Sequence, residues 1–516
     1  MRRVLFRGFG VSCLVVLAAV LLFAASSEAK QGKRVKQPNI VLVTTDDQPL
    51  STFTREYMPQ TFKRLVDKGT SFEDAVVNVP LCCPSRATLI TGQYPHNHGV
   101  LANSPGYGSL VDERNVLPVW LRRAGYRTAH FGKWLHGYED VRGTSPAPGW
   151  NRWLAQLNRR RYYDYKLSND GRVINFGSRR RDHLTGVMTR AVSRYLVDNL
   201  GRRRPLFIQL HHYAPHVGAG PRGSATRCAG APEPSPRDRR TAESEVAPRG
   251  PSFNEEDLSD KPYFVQPPLL GAEQLDSVDR RFRCTVESVA GVDRSLKRIF
   301  KRLRQAGEIR NTAFLFLTDN GYFLGEHRIP KGKARPWEEA IRTPLVVRPP
   351  RGFGDVGERV PEQVGSIDVV PTILALAGAE ACRSGGCRSM DGRSLLPAMR
   401  GRGTRLLRNR ALLIEMADDS RDSRNFACHF QALRTGSDVL IRNSEFPDPD
   451  TRKCEPGVLY EHYAIGSDPF QLRNEIGSGG LPETAEQAAL AERLDRLRSC
   501  SGLEGRDPEP AGGYCE

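Results

Sequence analysis

Two stretches of this sequence share one pattern, and it restricts the fold more than any other feature. Residues 39–45 read NIVLVTT, a short apolar run rich in β-branched side chains that stops at Asp46-Asp47. Residues 312–318 read TAFLFLT and stop at Asp319-Asn320-Gly321. A strand that is apolar on both faces must be covered on both faces, the situation of an interior strand in a parallel sheet. Residues 126–131, 205–210 and 344–348 read as further strands, and 58–68, 117–124, 184–200, 274–305 and 367–377 as helices. Strands alternating with helices specify a doubly wound α/β domain over about residues 38–400. Beyond Arg408 the texture changes. Residues 411–416, 430–434 and 439–442 predict a small antiparallel unit with a helix near 485–498, giving a smaller C-terminal α+β domain over 408–516. Residues 150–181 show little period, and 218–251, rich in Gly, Pro, Ser, Arg and Glu, read as a long exposed loop.

The first residues read as an export signal. Arg2, Arg3 and Arg7 precede an almost wholly apolar stretch at 11–25, and Ser27-Glu28-Ala29 offers small residues for cleavage. Residues 1–29 are therefore expected to be a signal peptide, and the apolar run is short for a bilayer span. Export followed by cleavage predicts a secreted or extracytoplasmic chain with no stable membrane insertion.

The formal net charge is +17, and residues 1–29, with three arginines and one glutamate, account for +2 of it. The remaining +15 attracts polyanions, whether nucleic acid, anionic membranes or sulfated polysaccharides. Solvated arginine is the plainer reading, since the basic residues do not gather into one arm. Eleven cysteines in an exported chain predict disulfides. Setting aside Cys13 and the Cys82–Cys83 pair, the spacing favours Cys382–Cys387, Cys428–Cys454 and Cys500–Cys515, leaving Cys228 with Cys284. Eight cysteines allow about 105 pairings, so the connectivity stays open on sequence alone. No Asn-x-Ser/Thr acceptor is present.

The chemistry concentrates in VPLCCPSRATLITGQYPHNHGV at residues 79–100. Pro84 suits the first turn of a helix that ends near Gly92. A cysteine at a helix mouth is a candidate reactive centre, because free N–H groups there stabilise an anion. A buried structural thiol is the alternative.

Ligands of open α/β sheets bind beyond the carboxyl ends of the strands. Four proposed strands end in polar residues: Asp46-Asp47, Lys133, His216 and Asp319-Asn320. Three carboxylates and an amide oxygen form a hard oxygen cage suited to Ca²⁺ or Mg²⁺. Lys133, His216 and Lys333 then line the same rim for an anionic substrate.

With these residues assembled, the chain resembles the type I sulfatases. Cys82-Cys83-Pro84-Ser85-Arg86 fits their Cys-x-Pro-Ser-Arg signature, and Thr91-Gly92, the Asp pair and TDNGYFLGEH fit too. The form CCPSR…TGQYPHNHGV looks closest to the N-acetylglucosamine-6-sulfatase branch.

The resemblance implies an alkaline-phosphatase-like fold and hydrolysis of sulfate esters on a sugar or glycan. It implies that a formylglycine-generating enzyme oxidises Cys82 to Cα-formylglycine, whose hydrate has one hydroxyl to attack sulfur and a second to expel sulfate. Asp46, Asp47, Asp319, Asn320 and the modified Cys82 are then the ligands of Ca²⁺, in preference to Mg²⁺. Arg86 stabilises the hydrate, and Lys133, His216 and Lys333 hold sulfate oxygens. The family's histidine falls two residues after the first lysine, where this chain has Leu135, with His136 next. Cys83 occupies the free position of the signature. A phosphonate or phosphate monoester hydrolase of the same superfamily is the rival enzyme, and a catalytically silent binder of sulfated polysaccharide the rival of another class. No nucleic-acid partner is expected.

Overall fold

The first apolar run is strand β1 (Asn39–Thr45), buried along its whole length. A computed structural model of the chain describes residues 37–516 apart from 158–160, 224–225, 355–356, 418–427, 449, 452 and 479. The leader expected at residues 1–29 lies outside the described residues.

Nine further strands join β1 in one sheet: β2 (Thr70–Phe72), β3 (Arg127–Gly132), β4 (Arg152–Leu157), β5 (Lys166–Asn169), β6 (Arg172–Asn175), β7 (Leu206–His211), β8 (Thr312–Thr318), β9 (Leu345–Arg348) and β10 (Arg359–Val360). Their order is β10-β2-β9-β8-β1-β7-β3-β4-β5-β6. The central five, β8-β1-β7-β3-β4, are mutually parallel. The flanks are not: β9 runs antiparallel to β8 and to β2, and β4, β5 and β6 form an antiparallel meander. That meander occupies the stretch that shows little period in sequence. β5 and β6 are short, and β6 is an edge strand exposed over much of its length, so neither presents a clean alternation.

The five main helices are α1 (Cys82–Thr91), α2 (Leu117–Arg123), α3 (Leu184–Asn199), α4 (Ala272–Gln305) and α5 (Val369–Ala377). Alternation along the central strands explains why they are apolar throughout. Ile40 and Leu42 of β1, with Leu315 and Leu317 of β8, face a core shared with α1, α2 and α5. Val41 and Val43, with Phe314 and Phe316, face the opposite core, shared with α3 and α4. Each such aliphatic side chain fully withdrawn from water contributes about 1.5–3 kcal/mol.

A second sheet follows in the order β11 (Leu412–Ala417), β12 (His429–Arg434), β13 (Val439–Pro447) and β14 (Cys454–Tyr463), all antiparallel, with helix α6 (Ala485–Leu497). Its core residues Ile414, Phe430, Leu440 and Leu494 belong to one cluster with Tyr94, Phe323 and Trp337, so this sheet packs directly on the region around α1. β14 gives no strand signal in sequence because Pro456 and Gly457 interrupt it. An edge strand tolerates both.

Four disulfides form: Cys228–Cys284, Cys382–Cys387, Cys428–Cys454 and Cys500–Cys515. The first changes the expectation for residues 218–251. That segment is irregular but not simply exposed. Cys228, Glu233, Asp238 and Ala247 are buried in it, and its disulfide pins it to α4. Among the described residues no helix is long and apolar enough to cross a membrane.

Candidate active site

β8, β1, β7 and β3 are adjacent and parallel, so their carboxyl ends open on one edge of the sheet. The polar residues that follow them meet there. Asp46 and Asp47 follow β1, and Asp47 has φ +59°, a left-handed conformation that aspartate tolerates better than most residues. Asp319 and Asn320 follow β8. The Asp319 carboxylate accepts the Asp47 N–H at 3.2 Å, and the Asn320 amide donates to Asp47 Oδ1 at 2.8 Å. Lys133 follows β3 through Gly132, where φ is +114° and a Cβ would lie 1.8 Å from the His211 carbonyl. Glycine is required for that approach, which lets the Lys133 N–H donate to the His211 carbonyl at 3.0 Å.

Cations close on these carboxylates. Lys133 Nζ lies 2.6 Å from Asp46 Oδ2. Arg86 is fully buried; its guanidinium reaches Asp319 Oδ2 at 2.7 and 2.9 Å, Asp46 Oδ2 at 3.3 Å and the Lys133 carbonyl at 3.1 Å. Lys333 donates to Asp47 and lies 3.3 Å from Asn320 Oδ1. His216 Nδ1 donates to the Val217 carbonyl at 2.7 Å, which leaves Nε2 facing Asp47 Oδ2 at 3.5 Å. Ligand atoms of Asp46, Asp47 and His216 all lie within 4.8 Å of one another, an arrangement able to hold a metal ion. The histidine expected on the substrate side thus sits against the carboxylates, while Arg86 engages Asp319.

Cys82 is the first residue of α1, and Leu81, the residue before it, is extended. Arg86 lies four residues on, so both project from one helix face. Cys82 Sγ is 4.0 Å from His136 Nε2 and 3.5 Å from Asn103 Oδ1, and Asn103 Oδ1 also accepts the Cys83 N–H at 3.2 Å. His136, not Leu135, therefore approaches the thiol; Leu135 is buried in the core. Asn103 is absent from the sequence reading. It stands in a loop with no pattern of its own, and chain spacing carries no signal for it.

The electrostatics separate the two cysteines. Burial pushes the Cys82 thiol up, but Lys133, Lys333 and His136 overcome this and hold it well below its ordinary value. Burial, reinforced by a charged Cys82, pushes Cys83 up to about 12. Burial raises Asp47 as well, yet Lys333, His216 and Lys133 bring it below the usual carboxylate range. Asp319 is raised, by burial first and by Asp46 second. Burial opposes the Lys333 ammonium, but Asp47 and its neighbours hold it above its ordinary value.

A cleft of about 830 Å³ opens beside this cluster, lined by Lys133, His136, Tyr213, His216, Gln156 and Arg161 among others. Such a cleft admits a sugar-sized ligand.

The family model for sulfatases matches residues 38–379. The chain belongs to the sulfatase family. It is 29% identical over 537 residues to the human N-acetylglucosamine-6-sulfatase, covering 96% of this chain and 91% of that protein. It is 31% identical over 368 residues to an extracellular sulfatase homologue of Caenorhabditis elegans, covering 70% of this chain. This sulfatase spans about half, 49%, of that relative's length. Its fold is similar to that of a protein solved in complex with its substrate D-glucosamine-2-N,6-O-disulfate, with a TM-score of 0.69 and 22% identity, covering 90% of this chain and 98% of the other.

Proposed function

We propose that this chain hydrolyses sulfate esters on a sulfated sugar or glycan, using a nucleophile formed by oxidising Cys82 to Cα-formylglycine. The observation that carries this is the convergence of Cys82, three cationic side chains and four metal-type ligands at the ends of adjacent parallel strands. The name of the human relative supports an N-acetylglucosamine-6-sulfate type of substrate.

The residues fit a hard divalent cation. Asp46 Oδ1 is buried and accepts no hydrogen bond among the described residues, and three carboxylates with one amide oxygen are the donors Ca²⁺ takes. Asp46, Asp47, Asp319, Asn320 and the modified residue 82 would hold it. Bound there, Ca²⁺ supplies Lewis-acid polarisation of the ester, and the formylglycine hydrate supplies the attacking hydroxyl.

The chain's own residues do the rest. Arg86 holds Asp319 and Asp46 in place while its charge faces the helix mouth. Lys133, Lys333 and His216 bind sulfate oxygens and offset charge that builds on them. His136 Nε2 is placed to take a proton from the group at position 82. The cleft wall excludes water and orients the sugar. In this reading the chain is exported, loses its leader, and meets a formylglycine-generating enzyme on the way.

Turnover of nitrophenyl sulfate, phosphate and phosphonate by the full chain tests the proposal. Fastest cleavage of the sulfate is expected. Faster phosphonate or phosphate cleavage would replace it with a phosphomonoester-type hydrolase, and retention of sulfated glycan with no turnover would make it a binder.

A further inference from the structure

A second cleft, of about 640 Å³, lies away from the catalytic cluster, between α3, α4 and the disulfide-pinned segment. Its walls carry eight basic side chains: Arg180 and Arg190; Arg237; and Arg294, Lys297, Arg298, Lys301 and Arg302 of α4. Among the described residues the sole acidic neighbour they engage is Asp238, paired with Arg294. Arg180, Arg237, Lys297, Arg298 and Lys301 form no ion pair among the described residues. Arg180, Arg237, Lys297, Arg298 and Lys301 are all solvent-exposed.

Helix chemistry alone does not account for this face. Cations in the last turn of α4 complement its dipole, which covers Arg302 and Arg304. Arg294, Lys297 and Arg298 lie one to three turns further back. There, like charges at three- and four-residue spacing destabilise a helix. Two other elements then bring Arg180, Arg190 and Arg237 to the same cleft, deepening the repulsion. The stripe from Gly291 to Arg302 runs ~16 Å along the helix at 1.5 Å per residue. Its floor is polar as well as charged. His183 Nδ1 and Ser295 Oγ are buried beneath it and make no hydrogen bond among the described residues. The lining holds no Phe, Tyr or Trp, hence no platform for stacking bases.

Two contacts link this cleft to the catalytic cluster. His183 stacks on Tyr162 with ring centroids 5.2 Å apart and a 17° interplanar angle. The Tyr162 hydroxyl in turn donates to the His216 carbonyl at 2.9 Å. We propose that this cleft binds a run of sulfated polysaccharide outside the catalytic centre, retaining the polymer while one of its sugars occupies the active-site cleft. This rests on the sulfated-glycan reading of the active site. The cleft complements what such a chain presents, setting a row of cations against its regularly spaced anions. It lacks the aromatic side chains on which single-stranded bases stack.

The test reverses three exposed charges, Lys297→Glu, Arg298→Glu and Lys301→Glu together, with the triple alanine variant and thermal melting as a check on folding. Binding to heparin fragments is measured against a single-stranded oligodeoxynucleotide of matched charge, and turnover against nitrophenyl sulfate. Loss of three exposed charge contacts predicts roughly tenfold weaker heparin binding, a shallower salt dependence and unchanged turnover of the small ester. The alanine variant is expected to lie in between. Unaltered heparin binding in both folded variants overturns the proposal, as does tighter binding of the oligonucleotide than of heparin in the unaltered chain. Binding is read without turnover, so loss of the sulfatase reading appears separately, as groove-dependent heparin binding by a chain that cleaves no sulfate ester.

Discussion

Cys82 and Cys83 are neighbours in one helix turn with opposite surroundings. Cations outweigh burial at the first, while at the second burial dominates and the side chain is part of the apolar core. Two consequences follow for variants. Cys82→Ala removes the precursor of the proposed nucleophile and is expected to lower turnover of a small sulfate ester by about 10⁴-fold or more. Cys83→Ala is expected to keep turnover within about twofold, its cost confined to about 1–2 kcal/mol of stability from lost packing. Mass spectrometry of the peptide around residue 82, beside turnover of both variants, checks this; an intact thiol at 82 in active protein would end the formylglycine reading. Asp46→Asn keeps the shape but removes a charge from the oxygen cage, so bound Ca²⁺, measured by elemental analysis, and activity are expected to fall together. Most of these residues are legible in sequence because each directly follows an apolar strand or stands in the helix-mouth motif. Asn103 is not, since its approach to Cys82 depends on how a loop returns.

The central strands announce themselves because both their faces are buried, which leaves an uninterrupted apolar run. The edge strands β5, β6 and β14 do not, because exposure, proline and glycine dilute the alternation. Beside the shared apolar cluster, a buried polar network that no local pattern predicts ties the second sheet to the rest of the molecule. Arg434 of β12 reaches Glu338 at 2.7 and 2.9 Å and Asp74 at 2.8 and 2.9 Å. Its side chain is only 2% exposed. Truncating one member of such a network strands the carboxylates it served, a loss of about 3–5 kcal/mol. Arg434→Met is therefore expected to lower the denaturation midpoint sharply. Arg434→Lys recovers little, because an ammonium cannot make two forked contacts at once. Equal stability of the lysine variant and the parent would contradict this.

For the molecule as a whole, one side chain ties distant parts of the chain together and makes their union depend on pH. His96, just after α1, places Nδ1 2.7 Å from Glu415 Oε1 on β11 and Nε2 2.9 Å from the Cys500 carbonyl. Both nitrogens face acceptors, so the protonated ring is the form that satisfies them. Burial works against that charge, but Glu415 and the Cys500 carbonyl prevail and raise the imidazolium to about 9. A pKa raised on folding contributes stability that is complete below the unfolded value of about 6.5 and is lost as pH climbs through the folded one. Unfolding free energy is therefore expected to decline between about pH 6.5 and 9, with His96 contributing on the order of 2–3 kcal/mol to the drop. His327, between Glu255 and Glu339, is also raised to about 9, so the total alkaline loss is shared. The variant His96→Gln isolates one part. It should be less stable than the parent near neutral pH and converge with it at alkaline pH, read by denaturant unfolding of the full chain across that range. Parallel curves for the two proteins would show that the ring carries no extra proton in the folded state, and that other contacts hold the C-terminal sheet.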